Sequence, residues 1–320
     1  MSSAGATQHG APLPEAPLGH DPTDDVLLQG LQFKARSQWA LARRRFFRHR
    51  LAMGSLVILL LIFIAALLAP HLTSYKYDEL DLANTGVGPT FAGRHFFGTD
   101  QLGRDYFTRV LYGIQTTGRV AFLVAAVSTA IGTLIGALAG YYGRWVDNLL
   151  MRFTDLILTL PALVVLLTLS ALIGEGSPVK IAFILAFLFW TYLARIVRGT
   201  FLSLKEKEYV EAARALGASD RRIMFRHLLP NSLGPIIVNA TLTIATAILV
   251  EAFLSFLGFG IRPPTPALGA LISAGQGSML DLWWLVTFPG ITIVVICMCV
   301  NFVGDGLRDA LDPTQQRASG

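Results

Sequence analysis

The strongest constraint on the fold is a series of long apolar runs in the 320-residue chain. A hydrocarbon core of roughly 30 Å needs about 20 helical residues to cross it, and a spanning helix satisfies its own backbone hydrogen bonds. With 53% hydrophobic and 15% charged residues, the composition lies outside the range of soluble domains. The sequence therefore predicts an all-α membrane protein with six transmembrane helices, at residues 51–70, 120–142, 156–173, 181–194, 233–257 and 284–303.

The distribution of Lys and Arg predicts the orientation of these helices, because short loops rich in these residues stay on the cytoplasmic side. Most of the 26 Lys and Arg residues precede the first span or lie between the fourth and fifth. Both termini and the polar segment at 205–230 are therefore expected in the cytoplasm. The Lys and Arg residues that set the orientation also explain the net charge of +5. The charge is therefore no sign of nucleic-acid binding, and we predict no nucleic-acid partner.

The spans and their connections divide the chain into consecutive segments. The N-terminal residues are rich in Pro, Gly, Ala and Asp without an apolar period, which is typical of disorder. The basic stretch that follows either lies along the inner membrane surface or serves only as a positive anchor. The predicted segments are a disordered cytoplasmic tail at 1–33, a basic cytoplasmic segment at 34–50, the first transmembrane helix at 51–70, an extracytoplasmic loop at 71–116, a five-helix core at 117–313 that includes the 205–230 loop, and a cytoplasmic tail at 314–320.

The extracytoplasmic loop contains a predicted amphipathic helix. Its apolar positions follow the i, i+3, i+4, i+7 spacing of one helical face at Phe107, Val110, Leu111 and Ile114. Polar residues fall mainly on the other side, at Arg104, Asp105, Thr108 and Arg109. Such a helix would lie at the outer membrane interface or cover the mouth of a pathway.

Several spans carry residues that are unusual in lipid. Small residues at four-residue spacing in the second span indicate close helix packing, within the bundle or at a dimer seam, at Ser128, Gly132, Gly136 and Gly140. Pro161 predicts a kink in the third span. Glu251 lies near the outer end of the fifth span, and an intramembrane charge needs a partner or water. Glu251 either has a structural role, lines the mouth of a pathway, or takes part directly in substrate passage.

The sequence lacks the motifs of common catalytic and nucleotide-binding sites. It has no G-x-x-x-x-G-K-[ST] loop and no H-E-x-x-H, and none of its six His falls within a predicted span. Cys297 and Cys299 point to different faces of the last span, as ordinary thiols do. We therefore predict a chain that is not an enzyme and binds no cofactor or metal itself.

The stretch from Glu208 to Pro230 has its own helix start and stop signals. Helix-forming residues lead to Gly217, which tolerates the positive φ of a helix end. Ser219 and Asp220 can cap a second short helix, and Pro230 is expected to end the unit. The result is a predicted helix-turn-helix between the fourth and fifth spans.

One face of the first of these helices has little side-chain bulk. Ala212 and Ala213 would allow another protein to approach the backbone closely, and Glu211 and Arg214 supply charge for orientation. The alternative is that the alanines reflect only good helix propensity.

The unit formed by Glu211-Ala212-Ala213, Gly217 and Leu229-Pro230 resembles the EAA loop of binding-protein-dependent ABC importer permeases. The family motif often has Ile where His227 stands here. Further segments resemble the C-type permease subunit of dipeptide and oligopeptide ABC importers, from about Trp39 to Pro313. They are Arg48–Gly54, Phe97–Asp105 followed by Arg109–Gly113, and Gly304–Pro313.

This resemblance implies a type I ABC importer permease fold in a bacterial inner membrane. The implied partners are membrane lipid, a second homologous permease, two cytoplasmic ABC ATPase subunits that carry ATP and Mg, an extracytoplasmic solute-binding protein and a peptide substrate. ATPase coupling is assigned to Glu211, Ala212, Ala213, Arg214, Gly217, Asp220, Arg221 and Pro230. A gate or a contact with the binding protein is expected at Asp100, Gly103, Arg104, Asp105 and Glu251.

Two alternatives remain open at this point. The same architecture could import nickel or another small solute. Less favoured is an ion-coupled secondary transporter or channel, for which Glu251 is the main support in the sequence.

Overall fold

The computed structural model describes residues 38–173 and 176–311, and the regular elements in these ranges are helices. The predicted tails at 1–33 and 314–320 lie outside the described residues. The α-helices are α1 (Gln38–Arg48), α2 (Arg50–Leu67), α3 (Ala69–Leu72), α4 (Tyr106–Tyr142), α5 (Arg144–Thr159), α6 (Ala162–Ile173), α7 (Pro178–Lys205), α8 (Glu208–Ala215), α9 (Asp220–Ile223), α10 (Leu229–Phe256), α11 (Leu268–Gly275) and α12 (Trp284–Leu311).

The described part of the chain has five helices long and apolar enough to cross a membrane. They are α2, α4, α7, the continuous stretch Asp220–Phe256 and α12. A sixth span results if α5 and α6, which are bent by 86° at the break between them, are counted together. The all-α membrane prediction is therefore confirmed. We call the end that contains Gly143 and residues 206–219 the basic end, and the end with residues 73–105 and 258–283 the opposite end.

The break between α5 and α6 occurs at Leu160 and Pro161, where the sequence predicts a kink. Leu160 has the extended conformation favoured by a residue before proline, with ψ of 137°. Because Pro161 has no N–H to donate, the helix stops and restarts at Ala162. The break leaves α5 free to run at a steep angle to α6.

Helix α7 is much longer than the predicted span at 181–194 and continues to Lys205. The predicted span stops at Ala194, just before Arg195, because an isolated cation is costly in lipid. In the structure Arg195 pairs with Asp155, and Arg198 donates to Asp147 over 2.6 Å, so carboxylates of α5 neutralise the cations of α7.

The predicted amphipathic helix in the 71–116 loop is not a separate element. It is the first part of α4, which runs for 37 residues without interruption. The Tyr106 hydroxyl donates to the carbonyls of Leu285 at 2.6 Å and Leu271 at 3.2 Å, and this anchors the helix against α11 and α12. Arg109, expected on a polar outer face, is buried. The prediction that this segment lies at the interface is wrong, because both of its faces are covered by protein.

The small-residue stripe of α4 packs against α7 inside this chain. A Cβ atom added at Gly132 would lie 2.7 Å from the Trp190 carbonyl oxygen, and one at Gly140 would lie 2.8 Å from that of Arg198. A Cβ at Gly136 would collide with the Ala194 carbonyl oxygen. The stripe is therefore used within the bundle, since two helix backbones approach closely only where side chains are absent.

Replacing Gly136 with Val is expected to force α4 and α7 apart. Overpacking of this kind typically costs about 1–3 kcal/mol, so the purified protein should melt several degrees lower. The matched control is Gly199→Ala in α7, where an added Cβ meets nothing within 4 Å. Equal melting temperatures for the Gly136 variant and the wild-type protein would show that the two helices are not locked together.

Candidate coupling site

The loop at the basic end folds into a short helical unit that we call the knob, residues 208–230. Its first helix, α8, ends at Ala215, and Gly217 has φ of 75°. The Ala218 N–H donates to the Ala213 carbonyl at 3.0 Å, and the Gly217 N–H donates to the Arg214 carbonyl at 2.9 Å. These two bonds form a Schellman motif, which requires a left-handed residue at the glycine position.

The second half of the knob is continuous with α10. The Ser219 hydroxyl accepts from the Arg222 N–H at 3.4 Å and caps α9. A π-helical turn at Met224–Leu228 then leads directly into α10. The knob is therefore attached rigidly to a membrane-spanning helix.

The expectation that Pro230 ends this unit is wrong. Pro230 lies in the first turn of α10, where its missing N–H leaves no broken bond in the helix. The preceding π turn accommodates the ring, because the Leu229 N–H bonds five residues back to Met224. The Asn231 side chain donates to the His227 carbonyl at 2.6 Å.

An apolar core fixes the back of the knob to the bundle. Val210, Ile223 and Leu228 are fully buried, and they pack in one cluster with Val197 and Phe201 of α7. The cluster also includes residues at the basic end of α4. Three long helices therefore support the knob.

Tyr141, at the end of α4, links this helix to the knob through a contact that the sequence did not predict. The Tyr141 hydroxyl donates to Asp220 Oδ1 at 2.6 Å, and the Arg214 side chain also interacts with Tyr141. Lys205 Nζ donates to the Tyr141 carbonyl at 2.8 Å. A tyrosine at the end of an apolar span is so common at membrane interfaces that it carries no specific signal.

The outward face of the knob carries most residues assigned to ATPase coupling. Glu211, Ala212, Arg214, Gly217, Asp220, Arg221 and Pro230 are exposed, and Ala213 is half-buried. Leu216 was not singled out from the sequence, yet 87% of its surface is exposed. The small residues and the protruding leucine form a surface that another protein can cover.

At the opposite end, the Asp100 carboxylate organises a tight loop. Asp100 Oδ1 accepts from the N–H groups of Leu102 at 2.9 Å and Arg104 at 3.0 Å. Asp100 Oδ2 accepts from Arg104 Nε at 2.7 Å and from Arg109 Nη1. Gly103 has φ of 74°, and a Cβ there would collide with the Asp81 carbonyl, so the turn requires glycine.

Asp105 is the N-cap of α4. It accepts from the Thr108 N–H at 2.8 Å and the Thr108 hydroxyl at 2.6 Å. Its other oxygen lies 2.9 Å from His95 Nδ1, and the His95 ring stacks on Tyr75 at 4.7 Å between centroids. Asp100 and Asp105 are both buried, so neither carboxylate is available for contact with another protein unless this loop opens.

Glu251 is fully buried and does not lie at an exposed pathway mouth. The Ser255 hydroxyl donates to Glu251 Oε1 at 2.7 Å and accepts from the Ile261 N–H at 3.0 Å. Glu251 Oε2 has no hydrogen-bond partner among the described residues, and the Thr117 hydroxyl is its polar neighbour on α4. In this arrangement Glu251 holds the 258–261 turn against α10, and no described hydrogen bond joins it to the Asp100 or Asp105 networks.

Comparisons with known proteins agree with this architecture. Residues 132–317 match the family described as the binding-protein-dependent transport system inner membrane component. Residues 37–89 match the N-terminal TM domain of oligopeptide transport permease C.

Two full-length relatives are similar over nearly the whole chain. The dipeptide transport system permease protein DppC of Alkalihalophilus pseudofirmus is 39% identical, over 96% of this chain and 98% of that protein. The oligopeptide transport system permease protein OppC of Haemophilus influenzae is 42% identical, over 89% and 92%.

The fold is also found in a solved structure, the inward-facing MetNI methionine ABC transporter. One of its chains aligns with a TM-score of 0.51 and 20% identity, covering 64% of this chain and 96% of that chain. Because the two sequences have diverged so far, the likeness concerns the fold alone. Together, the helical bundle, the knob and these matches show that this multi-pass membrane protein belongs to the family of binding-protein-dependent inner-membrane permeases that includes OppC and DppC.

Proposed function

We propose that this chain is a transmembrane permease subunit of an ATP-driven importer for dipeptides and oligopeptides in a bacterial inner membrane. The observation that carries the proposal is the knob, an exposed two-helix unit fixed to the bundle of a chain whose relatives are named as peptide permeases. The basic end lies in the cytoplasm, as the Lys and Arg distribution favours. A second homologous permease supplies the other half of the pathway.

The knob couples the bundle to two cytoplasmic ABC ATPase subunits. Its exposed face, with Glu211, Ala212 and Leu216, docks in a groove on one ATPase. Movement of the knob passes to α10 through the uninterrupted backbone and to α4 through the bond between Tyr141 and Asp220. Rigid elements of this kind switch a bundle between two arrangements. Binding of ATP and Mg to the partner subunits supplies the free-energy difference between the two states.

The opposite end receives peptide from an extracytoplasmic solute-binding protein. The buried Asp100 and Asp105 networks hold the loop in shape. Arg104, whose side chain is 19% exposed, is the assigned charged residue of this loop that reaches the surface and can make a contact. We assign Asp100, Gly103 and Asp105 to positioning of the loop, and Glu251 to positioning of the adjacent turn.

Purification from the native host tests this assignment. The chain is tagged, extracted gently and examined by mass spectrometry for proteins that accompany it. We expect two ATPases with P-loops and a second multi-span permease, and a control complex of known composition verifies the extraction. Recovery of the chain alone, while the control complex stays intact, would contradict the importer and favour a self-contained transporter.

A further inference from the structure

Two cavities on one side of the bundle share a wall. The first, about 300 Å³, lies between the α5–α6 break, α7 and α10. The second, about 400 Å³, lies between α7, α10 and the end of α12. Tyr192, Asn239 and Leu242 line both. The two cavities therefore form one groove, which we call the polar groove, running from Leu160 near the break to Arg308 at the basic end.

One face of α10 gives the polar groove uncharged hydrogen-bonding groups. Asn239, Thr243 and Thr246 are spaced at i, i+4 and i+7, which places them in one row. The Asn239 carboxamide makes no hydrogen bond with the described residues, although most of its surface is covered. The two threonine hydroxyls donate to carbonyls of their own helix, at 2.9 Å for Thr243 and 3.0 Å for Thr246. Their lone pairs remain available to accept.

The exposure of polar groups on α7 indicates that this side of the bundle does not face lipid. Tyr192 lies near the middle of α7 and is 65% exposed, with no hydrogen bond to the described residues. One turn further, Arg195 pairs with Asp155, and about half of each side chain is exposed. Unsatisfied polar groups and exposed charges are costly in hydrocarbon, so in membrane proteins they face water, a cavity or a partner.

A larger cavity of about 650 Å³ lies elsewhere, between α4 and the beginning of α10. Its walls are mainly apolar and include Phe122, Ala126, Leu134 and Leu233. Thr129 and Thr133 also line it, but their hydroxyl oxygens are buried and have no hydrogen-bond partner among the described residues. Such walls suit a lipid chain or an apolar helix and offer little to a peptide backbone. The groove is distinguished from this cavity by the Asn239 carboxamide, the Tyr192 hydroxyl and the Arg308 guanidinium, which have no counterpart in the lining of the larger cavity.

We propose that the polar groove is this chain's part of the translocation pathway, and that Asn239, Thr243, Thr246 and Tyr192 hydrogen-bond the backbone of the passing peptide. This proposal rests on the proposed function. A peptide leaving water must replace the hydrogen bonds of its N–H and C=O groups. Neutral amides and hydroxyls do this for any peptide sequence, because the backbone is common to all of them. Since α10 carries both the groove wall and the knob, ATPase movement changes the groove directly.

Thiol accessibility in the assembled importer tests the groove. The complex is reconstituted in proteoliposomes with Cys297→Ala and Cys299→Ala, which remove the two buried native thiols. Thr246→Cys and Thr243→Cys are then treated with a charged, water-soluble methanethiosulfonate. Ala126→Cys is the matched control, because Ala126 is exposed in the apolar cavity.

We expect at least tenfold faster modification of Thr246→Cys than of Ala126→Cys, and slower modification during turnover with tri-alanine, binding protein and ATP. Modification of both groove thiols no faster than the control, or unaffected by tri-alanine, would overturn the groove assignment. Uptake of tri-alanine is measured first, for the unsubstituted complex and for the complex in which this chain carries the two alanine substitutions. Absence of uptake by the unsubstituted complex, while that complex hydrolyses ATP, would overturn the proposed function instead.

Discussion

Replacing Gly217 with Val is expected to lower ATP-driven uptake by about tenfold or more while the bundle still inserts into the membrane. Gly217 has φ of 75°, and a Cβ there meets nothing within 4 Å, so the cost arises in the backbone alone. A residue other than glycine in this conformation costs roughly 1–2 kcal/mol, and β-branching adds strain. The turn that presents α8 would therefore rearrange, and the ATPase would lose its docking surface. Uptake of tri-alanine per reconstituted complex measures the effect.

The control is Gly217→Asn at the same position. Asparagine tolerates the left-handed conformation far better than valine does, so this variant should keep most of the transport activity. Full activity of the valine variant at normal expression would contradict the coupling role of the turn. Equal loss in both variants would mean that the side chain, rather than the backbone conformation, disturbs the interface.

Replacing Asp100 with Ala is expected to destabilise the opposite end strongly. Asp100 accepts from Arg104 and from the buried Arg109, so its removal leaves the Arg109 guanidinium without its carboxylate. Breaking a buried ion pair by removing one partner costs roughly 3–5 kcal/mol. We expect a markedly lower melting temperature and faster proteolysis at residues 95–105.

A double substitution separates the uncompensated charge from the loss of packing. Asp100→Ala combined with Arg109→Met removes both charges and should recover part of the lost stability. Arg104→Ala should cost much less, because Arg104 is nearer the surface and Asp100 keeps its bond to Arg109. An Asp100→Ala protein that melts like the wild type would refute the structural role given to this carboxylate.

The membrane spans and the turn of the knob could be predicted from the sequence because their causes are local. The length of an apolar run determines whether a helix can span the membrane. Pro161 interrupts a helix because it has no N–H to donate. Gly217 has the positive φ that is expected at the end of a short helix. The small-residue stripe of α4 also predicted close packing, although only the structure identifies α7 as its partner.

The features that the sequence did not predict depend on contacts between distant residues. The predicted fourth span stopped at Ala194, before Arg195, because the partner of this cation, Asp155, lies on a different helix and could not be foreseen. The sequence predicts Asp100 and Asp105 at a gate or a contact with the binding protein, because nothing local shows that Arg109 and His95 will pair with these carboxylates and bury them. The polar groove brings together four segments of the chain: the α5–α6 break, α7, α10 and the end of α12. The row of polar residues on α10 could therefore be assigned to a groove only once the structure placed it beside Tyr192.

Uptake of radiolabelled tri-alanine into proteoliposomes that contain the complete complex tests the account most directly. We expect uptake that requires the binding protein and ATP hydrolysis, is abolished when the ATPases cannot hydrolyse ATP, and is unaffected by excess nickel. Uptake driven by an ion gradient without ATP would contradict it. So would a complex that hydrolyses ATP in response to nickel and its binding protein but carries no peptide.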